Sequence, residues 1–300
     1  MLAINSRAKA PASIATLCEK FVINYREILS VNPKTEKSKV QTYILHLAPA
    51  EISGHNVCPG AGNCKAICLH FAGNPVHMGG KQTARIRRTL AYFNDPESFV
   101  KLLIMAILHK QNLHKGENVA IRLNGTSDVP WEAIDVTIDA EFSLFCRIKF
   151  GAILPIGKRN IMEIFNHKLN NCGGDSVQFY DYTKIRHNWA ECQRIGYHLT
   201  FSYDGADNLS NVKLCQDAIR NGVNVAACFN IKKNQELPLY VSSDVISPND
   251  NQPGVLAVID GDLSDYRPGD VKGGHIVGLR FKLPHGVKYT DAQKDAFCIG

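Results

Sequence analysis

Three cysteines, Cys58, Cys64 and Cys68, crowd into one short segment, Asn56-Val-Cys-Pro-Gly-Ala-Gly-Asn-Cys-Lys-Ala-Ile-Cys68. The other seven, Cys18, Cys146, Cys172, Cys192, Cys215, Cys228 and Cys298, are scattered along the chain. Clustered thiols in a chain with no export signal point to metal or redox chemistry rather than to cross-links. Thiolates are soft ligands and favour iron–sulfur clusters, zinc or Cu(I) over hard cations. A structural zinc ion takes four protein ligands, ordinarily from two short knuckles. Here one loop offers three, with His55, His70 or His77 as sources of a fourth. Three close thiolates without an obvious fourth suit a [4Fe–4S] cubane with one iron left open, which favours iron–sulfur over zinc and over inert thiols. Pro59, Gly60 and Gly62 keep the segment irregular, so it can wrap around a group and donate backbone N–H bonds to its sulfides.

A second set of polar residues follows the apolar runs. Asn124, Ser127 and Asp128 come after one run, Asp181 to Lys184 after another with Tyr180 just before them, and Ser202 to Asp204 after a third. Asn230 and the pair Asp260 and Asp262 close two more. In parallel α/β sheets and barrels such positions form one rim, where active sites sit. Arg85 and Arg88 lie in the basic stretch Lys81–Arg88, whose helical character sets them one turn apart on one face. They are placed to hold an anionic ligand or to balance the charge of thiolates.

The elements that must position these residues alternate. Strands are predicted at Thr42–Ala48, Asn118–Leu123, Cys146–Ala152, Ser176–Tyr180, Tyr197–Ser202, Val223–Phe229, Val255–Ile259 and Ile276–Phe281. Helices are predicted from Asp95-Pro96 to about His114, over Lys184–Ile195 ending at Gly196, and over Ser210–Asn221 ending at Gly222. The alternation predicts an α/β fold of (β/α) barrel-like type, a partial or full TIM-type barrel of parallel strands. Residues 1–39, with one helix predicted over Ile14–Leu29, read as an N-terminal extension. Residues 40–300 read as a single domain with the cysteine loop after its first strand.

The 300 residues carry 34 basic and 28 acidic side chains, a formal +6, which permits phosphate-bearing partners without demanding them. No run of about 18 apolar residues marks a membrane span, and Met1–Leu17 lacks the apolar core of a secretory signal. The expected compartment is the cytoplasm. The phosphate-binding Gly-x4-Gly-Lys-Ser/Thr loop and the Gly-x-Ser-x-Gly nucleophile elbow are both absent.

Two stretches, His46–Gly73 and Ala84–Phe99, resemble the gene product 88 family of bacteriophages and prophages. Later blocks, Arg122–Glu132, Gln178–Lys184, Phe201–Gly205 and Val258–Asp270, are similar to that family in the same order. The resemblance implies a phage-type protein at work in the cytoplasm of an infected bacterial host.

A more distant similarity is to radical SAM enzymes, in which three cysteines after the first barrel strand hold a [4Fe–4S] cluster whose open iron binds S-adenosylmethionine. The spacing here, Cys-x5-Cys-x3-Cys with Ile67 before the last cysteine, departs from the usual Cys-x3-Cys-x2-Cys with an aromatic residue there. That similarity implies that Asn124, Ser127 and Asp128 hold the amino acid or ribose of S-adenosylmethionine. Tyr180, Asp181, Lys184, Ser202 and Asp204 would line the same rim, and Asp260, Asp262 and Arg267 would close it. The substrate would be a small molecule or nucleotide. Two alternatives stay open: a nucleic-acid-associated phage protein with a structural or redox-sensing cluster, and a zinc-stabilised binding module.

Overall fold

The computed structural model describes residues 8–31, 40–66, 68, 79–166, 177–243, 254–282 and 290–299. The sheet has nine strands. They are β1 (Leu29–Ser30), β2 (Gln41–Leu45), β3 (Val119–Arg122), β6 (Val177–Thr183), β7 (Tyr197–Ser202), β8 (Val225–Phe229), β9 (Tyr240–Ser242), β10 (Val255–Asp260) and β11 (Ile276–Arg280). A separate antiparallel pair, β4 (Asp135–Ile138) and β5 (Gly157–Asn160), stands beside it. The helices are α1 (Ala12–Phe21), α2 (Gly79–Asn94), α3 (Pro96–Leu113), α4 (Ala140–Phe150), α5 (Ile161–Asn166), α6 (Trp189–Arg194), α7 (Leu209–Arg220) and α8 (Asp291–Phe297).

The order across the sheet is β1-β2-β3-β6-β7-β8-β11-β10-β9. Every pairing from β2 across to β10 is parallel, and only the end strands β1 and β9 run antiparallel to their neighbours. The parallel α/β class is therefore as expected. Closure is not: β1 and β9 lie at opposite ends of the order, so the sheet is open and no TIM barrel forms among the described residues. A barrel requires its first and last strands to bond to each other, and here both edges are taken by short antiparallel strands.

Register explains why one face is a core. Tyr43, Ile121, Phe179 and Tyr197 are Cα partners in successive strands, and parallel partners point the same way. All four belong to one hydrophobic core with Phe201, Val225 and Ile276. Phe165 of α5 packs on Phe179, and Trp189 of α6 packs on Phe201, so these crossover helices cover that face. α3 lies deepest: every residue from Ser98 to Leu108 is buried. Ile14 and Leu17 of α1, with Ile28 and Leu29, join the same core. The opposite face carries Ile44, Ala120, Tyr180, Ala226 and Val277, buried residues that lie outside this core. It is covered instead by the β10–β11 connection, whose 3-10 turn at Arg267–Gly269 contacts β6 and β7.

Two local predictions are corrected. Cys146–Ala152 is no strand but the C-terminal half of α4: Asp139 caps the helix through Phe142 N–H (2.7 Å), and Gly151 ends it with φ +74°. The apolar run belongs to a 3.6-residue period of Phe142, Phe145, Cys146 and Phe150, all buried. The helix expected over Ile14–Leu29 stops at Phe21, where Val22 turns left-handed, and Leu29 becomes an edge strand. Among the described residues no helix is long and apolar enough to cross a membrane.

Candidate metal centre

β2 delivers the chain to the C-terminal edge of the sheet, and the cysteine segment begins eleven residues later, at Asn56. Ala48 N–H donates to Thr89 Oγ1 of α2 (2.8 Å), which steers the exit. Ala50 then adopts φ +48°, a left-handed conformation that costs an L-residue about 1 kcal/mol. That turn points the Ala50 N–H at Cys58 Sγ (3.3 Å), while the Ala50 carbonyl accepts from Val57 N–H (3.2 Å). Backbone strain that aims a donor at a sulfur is the kind of outlier found at functional sites. On the other side, Asp128 N–H donates to Val57 O (2.7 Å) and ties the loop to the end of β3.

The second cysteine is held by the end of β7. Asp204, fully buried, accepts from Asn63 N–H through Oδ2 (2.9 Å) and from Cys64 N–H through Oδ1 (3.0 Å). Asn208 Nδ2 donates to the same carboxylate (2.9 Å), and Lys184 Nζ stands 3.2 Å from it. Asn63 returns the contact, its Nδ2 donating to Asp204 O (2.8 Å) and Asp207 Oδ1 (2.7 Å). Gly62 must be glycine here, because a Cβ would collide with the Asp204 carboxylate and Asn208. Two backbone donors, an amide and an ammonium on one carboxylate make a charge-assisted clamp on the loop.

Burial pushes the Cys58 and Cys64 thiols up to about 11. The Ala50 N–H bond and Lys65 act the other way at Cys58, as Lys184 does at Cys64. Cys68 adds to the rise at both, so the three sulfurs share one electrostatic neighbourhood. Arg85 adjoins Cys68, and burial lowers its guanidinium. Arg88, pushed down to about 10 by burial and by Arg85, donates to His46 O (3.4 Å) and Glu27 O (3.1 Å). Burial, followed by Arg85, Arg122, Arg88 and Lys81, holds His46 down at about 3. Asp128 beside Cys58 and Asp204 beside Cys64 push the same way as burial, so the ionised thiols need added positive charge beside them.

A family profile described as Gene product 88 matches residues 23–299, a span that takes in the cysteine loop and all the strands of the sheet. The chain belongs to the Gene product 88 family of phage proteins. No curated protein and no solved structure matches it.

In this Gene product 88 protein the other rim residues divide by what their polar atoms touch. Lys184, Asp204 and Asp128 meet at the loop: Asp128 Oδ2 accepts from Lys184 N–H (2.7 Å), and Asp128 Oδ1 has no partner. Asn124 and Ser127 build the turn that presents Asp128. Asn124 Oδ1 accepts from Ser127 Oγ (2.9 Å), Val129 N–H (3.0 Å) and Trp131 Nε1 (3.0 Å). Asp181 holds that turn from below, accepting from Leu123 N–H, Asn124 N–H and Tyr197 OH. Ser202 lends its carbonyl to Asn211 Nδ2 (3.0 Å). Tyr180 lies on the sheet face opposite the core, edge-on to Tyr266.

Asp260 and Asp262 do not reach the loop; both pair with Arg280, and Asp262 also with Lys282. His55 stacks on Phe93 at 4.1 Å, while Cys172, His70 and His77 lie outside the described residues. Glu132, His187 and Cys192, distant in sequence and unremarkable there, come together with ligand atoms within 4.8 Å of one another. His187 is already engaged at both ring nitrogens, by Glu132 Oε1 (2.6 Å) and Thr183 Oγ1 (2.7 Å), as in a hydrogen-bonded interior set.

Proposed function

We propose that this Gene product 88 protein is an iron–sulfur protein that carries a [4Fe–4S] cluster on Cys58, Cys64 and Cys68. We read it as an enzyme of radical SAM-like type, on an open parallel sheet in which β2, β3, β6, β7 and β8 follow in chain order before β11 and β10 reverse it. The observation that carries the reading is the loop itself. One turn after the first parallel strand offers three thiols, with a strained alanine N–H on one sulfur and a carboxylate clamp beneath another. The all-sulfur donor set matches the soft preference of iron–sulfur centres.

Zinc fits less well. Bonds of about 2.3 Å in a tetrahedron bring sulfur ligands to about 3.8 Å from one another. Among the described residues the group of three drawn within 4.8 Å is Glu132, His187 and Cys192, not the loop. A cubane, wider than one ion, accepts sulfurs set further apart.

When bound, the cluster supplies one-electron reduction of a sulfonium such as S-adenosylmethionine. The work of this chain is to hold and shield it. The Ala50 N–H donates to Cys58 sulfur, and Lys65, Lys184 and Arg85 offset thiolate charge. Asp128, whose buried Oδ1 makes no hydrogen bond, would receive a cofactor hydroxyl or ammonium, while Asn124 and Ser127 position it.

Anaerobic reconstitution followed by iron, sulfide and visible-absorption analysis tests the cluster. Iron and sulfide near four per chain are expected, lost in Cys58→Ser, Cys64→Ser and Cys68→Ser but kept in Cys18→Ser. A colourless protein with one zinc sinks the reading. Reductant and S-adenosylmethionine then test the chemistry, since an intact cluster that never yields 5′-deoxyadenosine removes the radical step.

A further inference from the structure

The sheet face opposite the core holds buried donors that make no hydrogen bond. Arg267, 1% exposed, gives Nη2 to Gly261 O (3.1 Å), but its Nε and Nη1 have no hydrogen-bond partner. Thr200 Oγ1 and Arg122 Nε are in the same condition, Thr200 being fully buried. Buried donors without acceptors are costly and rare in native proteins.

These groups share one place. Thr200 is the register partner of Tyr182, and His198 that of Tyr180. The Arg122 guanidinium sits 5.6 Å from the Tyr180 ring centre and 5.2 Å from that of Tyr182. Tyr266, next to Arg267, meets Tyr180 edge-on at 5.6 Å. Two arginine forks, a hydroxyl and a floor of three tyrosine rings therefore converge.

We propose that this face is a binding site for the phosphate group of a small organic phosphate, gripped by Arg122, Arg267 and Thr200. Two guanidinium forks and a hydroxyl suit the tetrahedral, doubly charged terminal oxygens of a phosphomonoester, whereas a planar carboxylate matches one fork at a time. The tyrosine rings suit an organic, ring-bearing remainder. Acidic neighbours are present: Asp181 is 3.7 Å from Arg122 Nε, Asp270 is 3.1 Å from Arg267 Nη1, and Asp265 adjoins Arg122. Neither ion pair is a hydrogen bond: the Arg122 separation is too long, and Arg267 Nη1 is poorly aligned with Asp270. Burial raises the Asp270 carboxyl and pushes Asp181 up to about 7, which reduces the negative charge facing the ligand. Arg85, Arg88 and Lys81, gathered about the neutral His46, extend positive potential from Arg122 toward the cysteine loop. The site rests on these donors and not on a cluster, so it stands or falls separately.

Calorimetric titration of the full chain, with and without reconstituted iron, uses inorganic phosphate, adenosine 5′-monophosphate and adenosine as probes. The two phosphate-bearing probes are expected to compete for one site and adenosine not to bind. Arg267→Gln and Arg122→Gln should each weaken the monophosphate at least about tenfold, as loss of a charge-assisted bond implies. Arg267→Lys should recover only part, because it restores charge without the fork. Thr200→Val removes one hydroxyl at nearly constant volume and should weaken binding about fivefold with the fold intact. Adenosine binding as tightly as its monophosphate overturns the proposal. So does absence of binding by both phosphate probes, or full monophosphate affinity in Arg267→Lys and Thr200→Val.

Discussion

Asp204→Asn isolates the clamp on the cysteine loop. The native carboxylate is fully buried and receives Asn63 N–H, Cys64 N–H and Asn208 Nδ2 at 2.9–3.0 Å, with the Lys184 ammonium at 3.2 Å. An asparagine keeps the volume but turns one acceptor into a donor facing a donor, and removes the charge that balances Lys184. Hydrogen bonds to a charged acceptor contribute about 1.5–3 kcal/mol each, and stripping one partner from a buried pair costs about 3–5 kcal/mol. These effects overlap, so a loss of about 3 kcal/mol is expected, within a typical total stability of about 5–15 kcal/mol. The variant should therefore fold but hold its loop poorly. Urea unfolding of Asp204→Asn, Lys184→Met and the double variant supplies the stability and the coupling, expected at about 1–3 kcal/mol. Iron retention after reconstitution reports the loop. A change in unfolding free energy under about 0.5 kcal/mol, the range of ordinary surface substitutions, together with native iron content, would refute the clamp.

Two further outcomes follow from the same neighbourhood. His46 stays neutral in the folded chain down to about 3 against an ordinary 6.5, so the unfolded chain binds more protons in that window and stability falls with pH through it. At pH 5 the difference is about 2 kcal/mol; His46→Gln should lose correspondingly less between pH 7 and 5, and an equally steep fall in denaturation curves counts against this. Ala50→Gly should gain up to about 1 kcal/mol from relief of its left-handed backbone, offset in part by glycine's greater chain entropy. A measured loss above about 1 kcal/mol would show that the alanine side chain, not its strain, matters there.

Much of the architecture is legible in the sequence. Asp95-Pro96 opened a helix where expected, with Asp95 Oδ1 accepting from Ser98 N–H (3.0 Å). Gly196 and Gly222 take φ +75° and +71° after their helices, as left-handed caps require. Local signals suffice there because caps and turns are made within a few residues. Where long-range contacts compete, local signals mislead. Lys184–Ile195 shortens to Trp189–Arg194 because Asp128 and Thr183 bind the N–H groups of Lys184 and Ile185 before a helix can.

The candidate site shows the same division. Residue type and spacing alone single out Cys58, Cys64 and Cys68 and place Asn124, Asp128 and Asp204 after strand ends, since both follow from one dimension of order; Asp181, expected after its strand, lies within β6. Tertiary structure decides what those carboxylates do. Asp204 holds the backbone of Cys64 from 140 residues away, and Asp181 supports the Asn124 turn from 57. It also leaves the sheet open and turns one face of it, with Arg122, Thr200 and Arg267, into a buried array of donors. Which buried polar group meets which partner depends on strand order and register, and no short stretch of sequence carries that information.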